Sequence, residues 1–389
     1  MPQHLTTNRI CLITLIGFIL QSVTAYAQTD TFQTINPESA ASGTKQILSA
    51  EQQTLVEDAI ARALDWLAAN HQADGSFPTL PSGQPGVTSL SVMAFLSAGH
   101  TLQGGPNSQK LHKAVSYTLN CQQPTGYLAV VKPASTVVPH KGSHTIFYNH
   151  GISGLMLSEV YGMTDKQQSK KIRTSITNAI EVMKTPPFPK RSAEDRGGWR
   201  YFNVYTTSDS DTTCTAWQLM FLRSSKNAGF DVPEKLIDEA VGYLQRSYDE
   251  EQEAFTYGLF EPGRFVSAGS VGGAIVSLSM AGKHNTRIAR HAGQWLMQQP
   301  LEAYNTKLGR GGHYIYGVYY GSQAAYQLGG EYWRNIYPRI VKVLLKNQLP
   351  NGSWPADNGI AKCYGSTYTT AMAVLALTPE YQLLPIYQR

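Results

Sequence analysis

Cysteine is scarce in this chain, four among 389 residues, and no two stand in a Cys-x-x-Cys spacing. Cys11 sits early in an N-terminal apolar run, too early to serve as a lipoprotein cysteine, which leaves Cys121, Cys214 and Cys363. Three is an odd number, so at least one thiol is unpaired or intermolecular, and a disulfide framework is not expected. Charge is sparse as well, at 15% of residues, and the net charge of +5 comes from scattered Lys and Arg. That distribution speaks against nucleic acid as a partner. The apolar run, Ile10 to Leu20 after Arg9, is too short to span a bilayer, and Ala25-Tyr26-Ala27 follows as a small-x-small cleavage site. Residues 1–27 therefore read as a signal peptide and the chain as exported, to the periplasm or beyond the cell. Residues 28–47 read as a flexible leader, and Ser49 with Gln52 offers a capping box for a first helix.

What the chain has in abundance is repetition. An amphipathic helix, a Gln, a short turn with Gly and an aromatic, and a second apolar helix recur along it. The last copy runs from Ile340 through Gln348, Gly352 and Trp354, and returns over Thr369 to Leu377. The first has Leu64, Trp66 and Leu67 leading to Gln72, Gly75 and Phe77, with Ser89 to Leu96 as its return helix. Intermediate copies carry Gly126-Tyr127, Gly198-Trp199, Phe255 with Tyr257, and Tyr314 with Tyr316. About six helix pairs result, at a period of about 50 to 65 residues. The second helices are the more apolar and richer in small residues, which suits an inner ring wrapped by amphipathic outer helices. The expectation is an all-α (α/α)6 toroid, a single domain over residues 48–389.

Gln348-x(3)-Gly352-x-Trp354 has the residues of the QW repeat, and on it the chain resembles the superfamily of squalene and terpenoid cyclases and protein prenyltransferase β subunits over roughly residues 50–380. The resemblance implies an α/α toroid; it does not fix the chemistry.

The densest functional cluster is Ser208-Asp209-Ser210-Asp211-Thr212-Thr213, just before an apolar helix. Such residues are what a helix start selects, because their oxygens accept bonds from free N–H groups and carboxylates suit the positive end of the helix dipole. They also look like a DxDTT variant of the DxDD acid motif of class II terpene cyclases, with Thr212 in the place of the last acid. By that resemblance Asp211 is the proton donor and Asp209 its partner. A nearby carboxylate and burial would both keep such an acid un-ionised. Tyr148, His150, Trp199, Tyr201, Tyr257, Tyr316, Tyr320 and Tyr368 are expected to face one mouth of the barrel and line a substrate cavity. Such rings can stabilise carbocations, or simply pack repeat junctions with their polar tips in water.

The prenyltransferase resemblance implies zinc held by Asp, Cys and His. Here Asp211 is in place, but Thr213 and Gly317 occupy the other two positions, so neither a metal nor any other cofactor is expected. Exported toroids also include the thioester domains of complement-like proteins; the Gly-Cys-Gly-Glu-Gln phrase is missing, which excludes the thioester. Three readings stand: a cyclase-like enzyme, a toroid that binds a lipid, glycan or protein without catalysis, and an unrelated activity in the same cavity. The expected ligand is a hydrophobic small molecule or polymer. A protein partner closing the barrel and peripheral contact with a membrane stay open.

Overall fold

The computed structural model describes residues 47–132, 142–184, 192–202, 210–260, 264–356 and 359–388. Residues 1–27, read above as a signal peptide, almost all of the segment read as a leader, and Asp209 lie outside them.

Among the described residues, six helices alternate with six others. The first of each pair are α1 (Ala50–Ala69), α3 (Ser108–Asn120), α5 (Lys166–Lys184), α7 (Glu234–Arg246), α9 (Arg287–Met297) and α11 (Gly330–Asn347). The second are α2 (Gly86–Ser97), α4 (Gly142–Val160), α6 (Thr212–Asn227), α8 (Ala268–Met280), α10 (Tyr314–Leu328) and α12 (Gly359–Leu377). A two-residue hairpin, β1 (Tyr248–Asp249) with β2 (Ala254–Phe255), is the one sheet among the described residues.

Burial separates the two sets. Every residue of α2 is buried, whereas α9 buries only Ile288, Ala289, Ala292, Gly293 and Leu296 along one stripe. A helix apolar all round must be covered on all sides, and a striped one can face water. The second set therefore forms the inner ring: α2, α4, α6, α8, α10 and α12 each pack on the next, and α12 packs back on α2. The architecture is an (α/α)6 toroid. Among the described residues no helix is long and apolar enough to cross a membrane.

The repeat phrase is the mortar between outer helices. The Gln348 amide donates to the Gly352 carbonyl of its own turn at 2.8 Å and to the Ala59 carbonyl of α1 at 2.7 Å, which closes the ring between the last repeat and the first. Gln122 repeats this with Gly126 and Ser175, both at 2.9 Å. The first copy differs from the sequence reading by one position. The Gln72 N–H pairs with the Ser76 carbonyl as the Leu349 N–H pairs with that of Ser353, so His71, and not Gln72, stands at the place of Gln348. A second recurring bond ties turn to inner helix: the N–H of Phe77, Trp199 and Trp354 donates to the hydroxyl of Thr88, Thr215 and Thr370 at 3.0, 2.9 and 3.1 Å. Ser49 and Gln52 form the anticipated capping box on α1. Among the described residues Cys121, Cys214 and Cys363 form no disulfide.

Candidate functional site

The opening turns of all six inner helices converge on a cavity of about 520 Å³. Tyr148 of α4, Thr213 of α6, Gly269 of α8, Tyr316 of α10 and Tyr364 and Tyr368 of α12 contribute to its wall, and the connecting loops add Arg200, Tyr201, Tyr257 and Phe265. Val87, Leu90 and Ile152 give it an apolar side. Its electrostatics lean one way. Helix N-termini carry partial positive charge, Arg200 adds a full one, and no Asp or Glu is among the described wall residues.

Asp211 lies directly behind this wall. It is the N-cap of α6, its Oδ1 accepting the Cys214 N–H at 2.5 Å and the Thr213 hydroxyl at 2.8 Å. Its Oδ2 accepts the Tyr257 hydroxyl at 3.3 Å and has the Arg200 guanidinium 3.9 Å away. The capping role and the buried-acid role thus fall on one carboxyl. Its backbone is pinned by pairing with Trp199, and Ser210 beside it donates to the buried Asp195. Burial is the largest influence and pushes the Asp211 carboxyl up to about 6; Arg200 and the three hydrogen-bond donors pull the other way. Asp211 exposes 0% of its surface, so a molecule in the cavity meets Thr213, Tyr257 and Arg200 first. Two hydroxyl paths lead inward: Tyr148 to Thr213 at 2.8 Å, and Tyr201 to Tyr257 at 3.0 Å. The guanidinium of Arg200 lies 4.5 Å from the Tyr201 ring centroid and 4.4 Å from that of Phe260, a stacking that fixes its position.

Of the aromatics expected in the cavity, Tyr148, Tyr201, Tyr257, Tyr316 and Tyr368 line it. Tyr148, Tyr316 and Tyr368 do so from inner-helix turns and not from loops, because tertiary burial extends those helices upstream of the apolar runs that mark them in the sequence. The other three pack behind the wall. His150 is buried edge-on against Tyr127, Phe147 and Phe221; its Nδ1 accepts the Leu128 N–H at 3.3 Å, and burial holds it down at about 4, hence neutral. Trp199 is 3% exposed within the repeat junction, and Tyr320 packs among Tyr316, Tyr319 and Trp217. Asp209 lies outside the described residues. Thr213 and Gly317, at the zinc positions, are otherwise engaged: the first bonds Asp211, and a Cβ at the second would stand 2.9 Å from that of Ala268. Among the described residues no group of three or more His, Cys, Asp or Glu side chains is arranged to hold a metal ion. Sequence reasoning missed Arg200; its only signal was a place between Trp199 and Tyr201 in a repeat turn.

No family model and no curated protein matches the sequence. Solved structures do. The type II terpene cyclase MstE from Scytonema, as a variant in complex with geranylgeranyl dihydroxybenzoate, is similar over 87% of this chain and 100% of its own, at 14% identity and a TM-score of 0.52. The likeness is one of fold, an α/α toroid. The α-1,6-mannanase GH76A from Salegentibacter sp. HEL1_6 is similar over 84% of this chain and 99% of its own, at 13% identity and a TM-score of 0.58. One architecture therefore serves lipid and glycan chemistry in those proteins, and the likeness of this chain to either is one of fold.

Proposed function

We propose that the cavity takes an isoprenoid-type amphiphile and that Asp211 starts its cyclisation by delivering a proton. The observation that carries this reading is a buried carboxyl, raised by burial to about 6 and hydrogen-bonded to two hydroxyls that line an aromatic, ring-shaped cavity. An apolar chain lies against Val87, Leu90 and Ile152, and a polar or anionic head meets Arg200. The proton passes in relay. With the proton on Asp211 Oδ2 the bond to Tyr257 runs in reverse, Asp211 donating and the Tyr257 O–H turned to the cavity; the Tyr257 O–H proton then goes to an alkene carbon while the Asp211 O–H proton replaces it on the Tyr257 oxygen, leaving a carboxylate and a carbocation. Ring closure then forms a carbon–carbon bond, and loss of a proton from the cyclised cation, ultimately back to the carboxylate, restores the acid. The quadrupoles of Tyr148, Tyr201, Tyr316 and Tyr368 stabilise the cation. In the Scytonema cyclase a chain spanned completely by this toroid binds a geranylgeranyl substrate, which supports one barrel as sufficient for such a ligand.

A second reading is a toroid that holds a lipid or glycan without turning it over. It is favoured by the full burial of Asp211 and its use as a helix cap. A two-carboxylate glycosidase has less support, since no Asp or Glu is among the described wall residues.

The test is incubation with squalene, farnesyl diphosphate or membrane lipid extract and a search by mass spectrometry for isomers of unchanged mass with fewer double bonds. Tyr257→Phe removes the relay hydroxyl and is expected to lower turnover by about 10²-fold with the fold unchanged. Full activity in that variant would require Asp211 to reach the substrate directly. A wild type that forms no cyclic product but is purified with a lipid or glycan bound supports the second reading.

We also propose, from the apolar run after Arg9 and the Ala25-Tyr26-Ala27 site, that the protein is exported. Mass spectrometry of the mature protein should find its N-terminus at or near Gln28. Intact Met1 in the cytosol would overturn export.

A further inference from the structure

The opposite end of the toroid is closed by the chain itself. The inner helices run away from the aromatic cavity, so their C-terminal ends surround a rear mouth. After α12 the chain makes two short turns, Pro379–Tyr381 and Pro385–Tyr387. Two adjacent residues of the second turn bond to different inner helices. The Ile386 N–H donates to Glu159 Oε2 of α4 at 3.2 Å, and the Tyr387 carbonyl accepts the Gln327 amide of α10 at 2.9 Å. In a ring ordered α2, α4, α6, α8, α10, α12, helices α4 and α10 are diametrically opposed. A segment bonded to both lies across the bore. Tyr387 points inward, with its hydroxyl bonded to that of Tyr319 and 3.9 Å from the Met220 sulfur.

Glu159 is the unusual member of this closure. It is a lone carboxyl on an otherwise apolar stretch of inner helix, 4% exposed. From α6 it receives the Ser224 hydroxyl at 2.5 Å, and from the tail the Ile386 N–H; no cation contributes to its titration, and the Tyr387 phenol is the titratable group that feels its charge. Burial pushes its carboxyl up to about 7, against the pull of the two donors. A neutral carboxyl fits such a site. A carboxylate there lacks a counter-charge, and its two donors replace only part of the hydration that burial has removed.

We infer that Ile386 and Tyr387 form a stopper across the rear of the toroid, latched to α4 through Glu159, and that the stopper unseats when Glu159 carries charge. The seated state holds the proton, so the latch is complete on the acid side and weakens as pH rises through the window from the ordinary 4.5 to about 7. Unseating removes the partner of Tyr319 and uncovers the layer of Tyr319, Tyr320 and Trp217 behind the cavity-lining Tyr316, giving the bore a second opening. The device is independent of what the cavity turns over.

Hydrogen exchange of the C-terminal peptide, followed by mass spectrometry in the full-length protein, tests the latch. Comparing wild type with Glu159→Gln at the same pH cancels the intrinsic pH dependence of exchange. Equal rates are expected at about pH 4, and exchange up to about 10²-fold faster in wild type at about pH 7 and above, since unseating gains about tenfold with each pH unit across that window and levels off beyond it. A ratio that does not change with pH overturns the inference. Should Glu159→Gln not fold, Ile386→Pro removes the donated N–H and leaves the carboxyl in place. Its tail is expected to exchange rapidly at both pH values, and a tail that stays protected there counts against the latch.

Discussion

Asp211→Asn is expected to abolish turnover while leaving the toroid folded. Asn caps a helix nearly as well as Asp and still accepts from the Cys214 N–H and the Thr213 hydroxyl, so α6 keeps its start. It has no acidic proton to give, and the loss expected for a general acid is about 10²–10⁴-fold. The pH dependence of stability should change in a definite sense. With its carboxyl raised from 3.8 to about 6, folded wild type retains a proton that the unfolded chain gives up, so the contribution of this group to stability falls as pH rises across that window. Two pH units correspond to about 3 kcal/mol, and Asp211→Asn should remove that slope in urea melts between about pH 4 and about pH 7. Asp211→Ala behaves differently. It removes the cap, worth about 0.5–2 kcal/mol, and takes one acceptor from the Thr213 and Tyr257 hydroxyls, which keep Tyr148 and Tyr201 as partners. Activity that survives in Asp211→Asn would assign the residue to capping alone and favour the binding toroid.

The second large effect is expected at the seam of the ring. Gly352 has φ +89°, and a Cβ placed on it would lie 2.3 Å from the Arg62 carbonyl oxygen of α1. That atom is helix backbone and cannot swing aside. Gly352→Ala must therefore push the last repeat off the first, weakening the bond that Gln348 makes across the joint to Ala59. A loss of about 3 kcal/mol or more is expected, from backbone strain and a clash together. Gly229 separates the two causes: its φ is +85°, and the space around its Cβ position is open. Gly229→Ala should cost only the strain, about 1–2 kcal/mol. Denaturant midpoints of the two variants decide the matter, and equal losses would mean that the seam is not closely packed. Gly197, whose Cβ would come 1.9 Å from the Glu239 carbonyl oxygen of α7, extends the rule to an internal joint.

These joints show why so much of the fold was legible beforehand. Gln348, Gly352 and Trp354 act locally: the amide reaches its own turn and the next helix, the glycine permits the approach, and the Trp354 N–H meets a hydroxyl sixteen residues on. A local rule repeated at a steady spacing survives in the sequence, and so does the contrast between helices buried all round and helices buried on one stripe. Even the misplacement of Gln72 by one residue left the pairing of helices intact.

The site was legible only in part, because it is made by convergence and not by spacing. The motif marked Asp211 and its capping role, both of which are local to the start of α6. Nothing along the chain placed Tyr257 and Arg200 against that carboxyl, put Tyr320 and His150 behind the wall instead of in it, or brought Ile386 across the rear mouth to Glu159. Those relations depend on where six helices meet after the ring has closed. The sequence by itself determined the helix pairs, their inner and outer roles and the ring, since each follows from periodicity and nearest-neighbour packing. Only the tertiary structure decided which side chains reach the cavity, which carboxyls lose water and hold their protons, and which end of the bore the chain seals. Burial and opposed contacts are properties of the closed ring, and no single repeat contains them.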